Sequence, residues 1–232
     1  VYDRINTLFS ANSNSIPVSS VILKTGINVT YSEKWSATYM LLPKLASSFE
    51  DKITRSDFQL GGIGLAKKKK NDFLSYKFGA YFNGDLFGPF LVPLFGFYYK
   101  KDNWELDIII PSYAKINYNL SSKVTTGINW RATVKSYHLN NSGITTRQNS
   151  SYIHHLSNEV GAHLSYEPIK GVIIRALSGV SLGRSFRVYE KGDKIDFGLS
   201  LFRFGDDRKQ LNTDFENGQF RRLELCYRVY LD

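Results

Sequence analysis

The sequence predicts an all-β fold, a single transmembrane antiparallel β-barrel of about twelve strands, and three observations predict it. Segments long enough to cross a bilayer alternate apolar with polar residues, the short connections between them are flanked by aromatic residues, and no apolar run reaches the roughly 18 residues of a membrane helix. Only alternate residues of a barrel strand face lipid, so the chain combines 15 Tyr and 16 Phe with a hydrophobic content of 42% and a negative mean hydropathy. The alternation is clearest from Val124 to Tyr137. Val124, Thr126, Ile128, Trp130, Ala132 and Val134 share one face, which reads as lipid-facing, while Thr125, Gly127, Asn129, Arg131, Thr133 and Lys135 share the other.

The expected strands run in order as residues 2–10, 20–31, 35–46, 57–67, 73–83 and 90–99, then 104–110, 114–120, 124–139, 150–166, 172–189 and 220–231. Pro111 belongs at the tip of a tight hairpin, because proline is poorly tolerated inside a closed ladder. If the strands around Pro111 are one strand and the first strand fails, the count is ten. Residues 194–204 also alternate and are read as part of a structured last loop. No linker or shift in composition divides the chain, so residues 1–232 form one domain.

The connections Tyr31 to Trp35, Tyr99 to Trp104, Tyr118 to Val124 and Tyr166 to Val172 share a form: each leaves a strand on Tyr, makes a polar turn and re-enters on an aromatic or β-branched residue. Amphipathic rings favour the headgroup level, which makes Tyr31, Trp35, Tyr99, Trp104, Tyr118 and Tyr166 an interfacial girdle on the periplasmic side. The longer connections at 47–56, 140–149 and 190–219 are then extracellular. Lys67 to Lys70 with Asn71 and Asp72 reads as a solvated hairpin turn, and the Gly61, Gly62 and Gly64 cluster as a place of strand curvature.

The net charge of +9, from 30 basic and 21 acidic residues, is spread through the strands. It is not gathered into a nucleic-acid-binding motif, and no nucleic acid partner is expected. Alternation directs Lys24, Lys77, Lys115, Arg131, Lys135, Arg175, Arg187, Arg222 and Arg228 into the lumen, against Glu105, Asp107, Glu159 and Glu224. Either an ion-pair network fills the lumen, or a narrow path with a cationic wall passes small anions. An aromatic outward strand pair, Leu74, Tyr76, Phe78 and Phe82 beside Leu91, Phe95, Phe97 and Tyr99, suits contact with outer-membrane lipid or with another outer-membrane protein. Cys226 has no second cysteine to pair with and reads as packing. The chain opens at Val1 without a charged and apolar leader, so it reads either as a processed mature protein or as a numbering that starts after cleavage.

His155 and Ser157 share a strand face, the minimum for an activated nucleophile. The run His155-Leu156-Ser157-Asn158 resembles the His-x-Ser-Asn of outer-membrane phospholipase A, itself a twelve-stranded barrel. In that family the His and Ser face lipid, whereas Val160, Ala162, Leu164 and Tyr166 outside turn His155 and Ser157 inward here, and no following loop resembles its calcium segment. No catalytic activity is expected. His155, Glu159 and His163 would align on a helix but in a strand are spread over more than about 20 Å, so no metal or other cofactor is expected.

The run Trp104 to Pro111, the Tyr118 to Gly127 hairpin and the exit Gly183 to Tyr189 into an acidic, glycine-containing loop resemble a family of uncharacterised outer-membrane barrels from Bacteroidota, over about residues 31–231. The resemblance implies an outer-membrane barrel made with a signal peptide in a Gram-negative bacterium. It implies no activity. The functional expectation is therefore an accessory or structural subunit of a larger outer-membrane assembly, with a narrow anion channel as the alternative and an outer-membrane phospholipase as a remote one.

Overall fold

Residues 2–7, 16–139, 151–212 and 217–227 are described by the computed structural model. The chain is all-β. Its strands in chain order are β1 (Tyr2–Thr7), β2 (Ile16–Ile22), β3 (Thr25–Thr30), β4 (Trp35–Ser47), β5 (Phe58–Lys69), β6 (Leu74–Asp85), β7 (Gly88–Lys101) and β8 (Trp104–Ile110). There follow β9 (Tyr113–Asn119), β10 (Val124–Leu139), β11 (Ser151–Ile169), β12 (Val172–Glu190), β13 (Phe197–Leu199), β14 (Phe202–Phe204) and β15 (Gly218–Tyr227). Neighbours in sequence pair antiparallel from β4 through β12, and β15 adds to β12. The short turns after β3, β5, β7, β9 and β11 therefore gather at one end, and the longer connections at the other.

Strands β2 and β3 follow one line along β4, since Ile22 opposes Lys44 and Thr25 opposes Leu41 in unchanged register. The break between them lies opposite Pro43, which has no N–H to give to the ladder; its carbonyl still accepts the Leu23 N–H at 3.0 Å. The β8–β9 hairpin turns at Pro111, with the Ser112 N–H on the Ile109 carbonyl at 2.8 Å. Strong coiling elsewhere needs glycine: a Cβ on Gly79 would sit 2.0 Å from the Gly64 carbonyl oxygen of β5.

Seven strands, β4 to β10, close into a barrel, with further strands outside that ring. The closing contact is parallel, Ser47 of β4 against His138 of β10, with the Ser48 N–H and the Ser47 hydroxyl both donating to the His138 carbonyl at 2.9 and 3.1 Å. Its cause is a difference in length. The β9 ladder on β10 ends at Arg131, and the Ala132 N–H meets the Ser112 carbonyl at 2.9 Å, so the last turns of β10 have no β9 beside them and reach β4 instead.

This closure corrects the expected lipid face of β10. The register with β11 is unbroken from Val124 to Leu139, so Ile128, Val134, Ser136 and His138 keep one parity. Ile128 is exposed, but Val134 packs against an interior cluster of Phe87, Phe90, Val92, Leu94, Ile109, Tyr152, Tyr189 and Ile195, and Ser136 and His138 are buried. A face that looks outward near the short turns is covered by protein near the long loops.

The last loop supplies part of that cover. Strand β8 pairs with β7 only from Phe95 onward, and β13 takes up the edge left vacant above it, Gly198 and Leu199 running parallel to Phe90 and Leu91. Residues 194–204 thus contain two strands, β13 and β14, paired with each other and docked on β7. Arg208 pins the following stretch: it holds Asp206 at 2.6 and 2.8 Å and lies 4.4 Å over the Tyr189 ring.

Candidate functional site

Near the short turns the interior is a polar basin of about 670 Å³, lined in part by Glu105, Asp107, Lys115, Asn117, Thr125 and Arg175. Several of the charges in and around it are paired along and across strands. Lys77 meets Asp107 at 2.6 Å, and the Tyr113 hydroxyl donates to the same carboxylate at 3.1 Å. Arg175 lies 3.6 Å from Glu224, its directly opposite residue on β15, and donates to the Ser165 hydroxyl at 2.8 Å. Arg222 holds both oxygens of Glu159 at 3.0 and 2.9 Å, and the Tyr98 hydroxyl donates to Glu105 at 3.3 Å. Lys115 lies over the Tyr113 ring, Lys135 is half-buried, and Arg131 and Lys24 are exposed. Arg228 lies outside the described residues.

Arg187 requires a correction. The register of β12 on β11 shifts between Leu156 and Asn158, where β12 carries the extra residue at Gly183 and Arg184. A bulge reverses parity. Arg187 consequently opposes His154 and shares its face with Arg203 at a small cavity, while Phe186 and Val188 take the other face.

Of the girdle residues, Tyr31, Trp35, Trp104 and Tyr166 are exposed and Tyr99 and Tyr118 half-buried, all beside the short turns. The Trp104 and Tyr118 rings meet edge to face at 4.9 Å. The Lys67 to Lys70 turn is solvated; the Asn71 side chain accepts the Phe73 and Leu74 N–H groups at 3.0 and 2.8 Å, and Lys69 pairs with Asp72 at 2.6 Å.

Toward the long loops the interior changes character. Val18, Ala46, Tyr137, Leu139, Ile153, Phe186 and Val188 form a buried apolar cluster across β2, β4 and the ends of β10 to β12. On the opposite face of β10 lies a buried polar network. Lys44 Nζ is 2.9 Å from Asp85 Oδ1, with the two side chains only 6% and 1% exposed. The Ser136 hydroxyl donates to the same oxygen at 2.7 Å, Asn83 Nδ2 donates to Asp85 Oδ2, and Gln59 Nε2 donates to the Ser136 carbonyl at 3.1 Å. Beside it, His138 Nδ1 lies 2.9 Å from Asp57 Oδ1.

Asp57 closes a 3₁₀ turn (Arg55–Asp57) capped reciprocally by Thr54, whose N–H and hydroxyl both reach Asp57 Oδ2, at 2.5 and 3.0 Å. Burial pushes the Asp57 carboxyl up. Hydrogen bonds from the Thr54 backbone, Ser47, His138 and the Thr54 hydroxyl outweigh it and hold the group below the ordinary carboxylate value. An ionised Asp57 fixes the proton of His138 on Nδ1.

His155 and Ser157, read together from the sequence, turn to different partners. His155 stacks on Phe186 at 4.1 Å with Nδ1 3.1 Å from the Ser185 carbonyl, and the Ser157 hydroxyl lies 2.6 Å from that of Ser181. Among the described residues no group of three or more His, Cys, Asp and Glu is arranged to hold a metal ion.

A family model for a domain of unknown function, DUF6268, matches residues 7–198. The chain belongs to this family. The matched span holds the whole Lys44, Asp57, Gln59, Asp85, Ser136 and His138 network of this DUF6268 chain and stops short of β15. No curated protein and no solved structure matches the chain. Sequence reasoning missed this network entirely. Only the Thr54 to Asp57 spacing, a threonine with an acid three residues on, signalled any part of it.

Proposed function

We propose that this chain is an integral outer-membrane β-barrel without catalytic activity, closed toward the long loops, which serves as an accessory or structural subunit of a larger outer-membrane assembly. Twelve strand rows span the bilayer when β2 and β3 count as one, with the short turns in the periplasm. The supporting observation is the outward face. Tyr39, Leu60, Phe82, Phe95, Leu164 and Leu223 are all exposed on different strands, whereas a water-soluble monomer rarely exposes contiguous apolar patches beyond a few hundred Å². The likeness to Bacteroidota barrels points the same way.

The partner surface in this reading is the β6–β7 pair, where Tyr76, Phe78, Phe82 and Phe95 are exposed side by side. Gentle detergent extraction at endogenous expression followed by native mass measurement should return a complex heavier than one chain. A solitary monomer would count against the accessory role.

The paired charges of the basin and the apolar cluster beyond it favour a closed lumen over an anion path. The refolded protein in planar bilayers is accordingly expected to carry no steady current. A stable conductance reversing toward the chloride potential, and weakened by Arg131→Gln with Lys135→Gln, would replace closure with the channel reading.

A further inference from the structure

At the long-loop end, a cavity of about 310 Å³ lies between the Arg55–Asp57 turn, the end of β6, the end of β10 and the last loop. Its charged lining is Arg55, Lys191 and Lys194 against one carboxylate, Asp85, with His138 beside them. That carboxylate is occupied: Oδ1 takes Lys44 and Ser136, and Oδ2 takes Asn83. Arg55, Lys191 and Lys194 have no ion-pair partner among the described residues. Three like charges converging on one cleft repel one another, and a cleft with protein walls focuses their field on whatever enters.

The lining is also held in place. The Thr54 cap fixes the turn that carries Arg55. The stretch bearing Lys191 and Lys194 is tied by the Tyr152 hydroxyl on the Asp193 carbonyl at 2.6 Å, the Asp193 N–H on the Glu190 carbonyl at 3.0 Å, and the Ile195 N–H on the Phe87 carbonyl at 2.8 Å. His138 supplies an independent sign of a ligand. Its side chain is 3% exposed, Asp57 occupies Nδ1, and the buried Nε2 has no hydrogen-bond partner. A buried polar atom left unpaired calls for an explanation.

We propose that this cavity binds a phosphoryl group, with Arg55, Lys191 and Lys194 supplying charge-assisted hydrogen bonds and His138, held at Nδ1 by Asp57, presenting its Nε2 as a further hydrogen-bonding atom. A phosphate dianion matches several converging donors better than a halide does, and guanidinium and ammonium groups are its usual partners. The cavity has room for the body to which a phosphate is esterified. The same chemistry fits free phosphate, a soluble phosphomonoester and a phospholipid headgroup. The inference does not rest on the membrane reading, because every group in it is fixed by the fold itself.

The test is calorimetric titration of the full chain in detergent micelles at constant ionic strength, with inorganic phosphate, glycerol phosphate and short-chain phosphatidic acid as separate probes. Saturable binding of at least one is expected, weakened about tenfold or more by Arg55→Gln with Lys194→Gln. Lys100→Gln with Lys123→Gln, at the opposite end of the barrel, should leave it unchanged. Phosphate binding by itself identifies the free anion, and binding of phosphatidic acid alone identifies a lipid headgroup; both support the site. His138→Gln should also weaken binding, and since it alters a buried residue the exposed double variant decides if it fails to fold. No saturable binding of any probe, chloride competing at equal concentration, or full affinity in the Arg55 and Lys194 double variant would overturn the proposal.

Discussion

Replacing Asp85 with Leu is expected to destabilise the folded barrel by about 3 to 5 kcal/mol, because it leaves the buried Lys44 ammonium without its counter-charge. The two side chains are almost wholly removed from solvent and pair at 2.9 Å. The attraction within such a pair roughly offsets the cost of dehydrating both charges, so the pair adds little net stability, but either member alone retains the whole cost. Lys44→Met should therefore be comparably harmful, with Ser136 and Asn83 left donating to a lone carboxylate. The double variant Lys44→Met with Asp85→Leu should recover most of the loss. Urea unfolding followed by the gel shift between folded and unfolded barrel gives the three values for a mutant cycle. Single variants within about 0.5 kcal/mol of wild type would mean that water reaches the pair and that the interior there is not closed.

How much of this was legible depends on distance along the chain. The half of the barrel near the short turns follows from period-2 alternation alone: Lys77, Asp107, Lys115, Arg175 and Glu224 sit on faces that a reader of single strands can assign. The half near the long loops depends on facts that no single strand carries. Lys44 and Asp85 are 41 residues apart, and Asp57 and His138 are 81 apart. Lys44 and Asp85 meet in one row across β5, since Lys44 opposes Gln59 and Leu60 opposes Gly84, whereas the Asp57–His138 contact requires β10 to outrun β9 and reach β4, which is a property of relative strand lengths. The extra residue at Gly183 and Arg184 likewise turned Arg187 away from its expected face, and nothing in the alternation of β12 announces it. The parallel docking of β13 on β7 fills an edge that exists only because β8 is short.

The same geometry explains why a surplus of basic residues does not make the basin a bare cationic wall. Register places Asp107 opposite Lys115 and Arg175 opposite Glu224, so neighbouring strands neutralise each other in the ladder itself. Among the described residues, Arg55 on the 3₁₀ turn and Lys191 and Lys194 on the last loop have no such neighbour, and there strands do not dictate pairing.

Arg at Ile128 should cost about 2 to 4 kcal/mol if the outward face of β10 meets the bilayer interior, and almost nothing if it meets water. Ile128 is 56% exposed and Leu164, on the adjacent strand, 54%, so neither substitution disturbs packing within the protein and the solvent outside determines the result. Leu164→Arg is therefore a second reading of the same quantity. Val134, on the same strand face, does not serve: it packs against the interior cluster around Phe90 and Tyr152, so a charge there is costly in any solvent. Thr125→Arg is the inward control, since Thr125 lines the polar basin and an added cation there remains hydrated beside Glu105 and Asp107. Unfolding measured in lipid vesicles should rank Ile128→Arg and Leu164→Arg well below Thr125→Arg. Penalties at the two outward positions no larger than at Thr125 would show that the apolar face of this barrel is not covered by lipid, and would end the membrane reading.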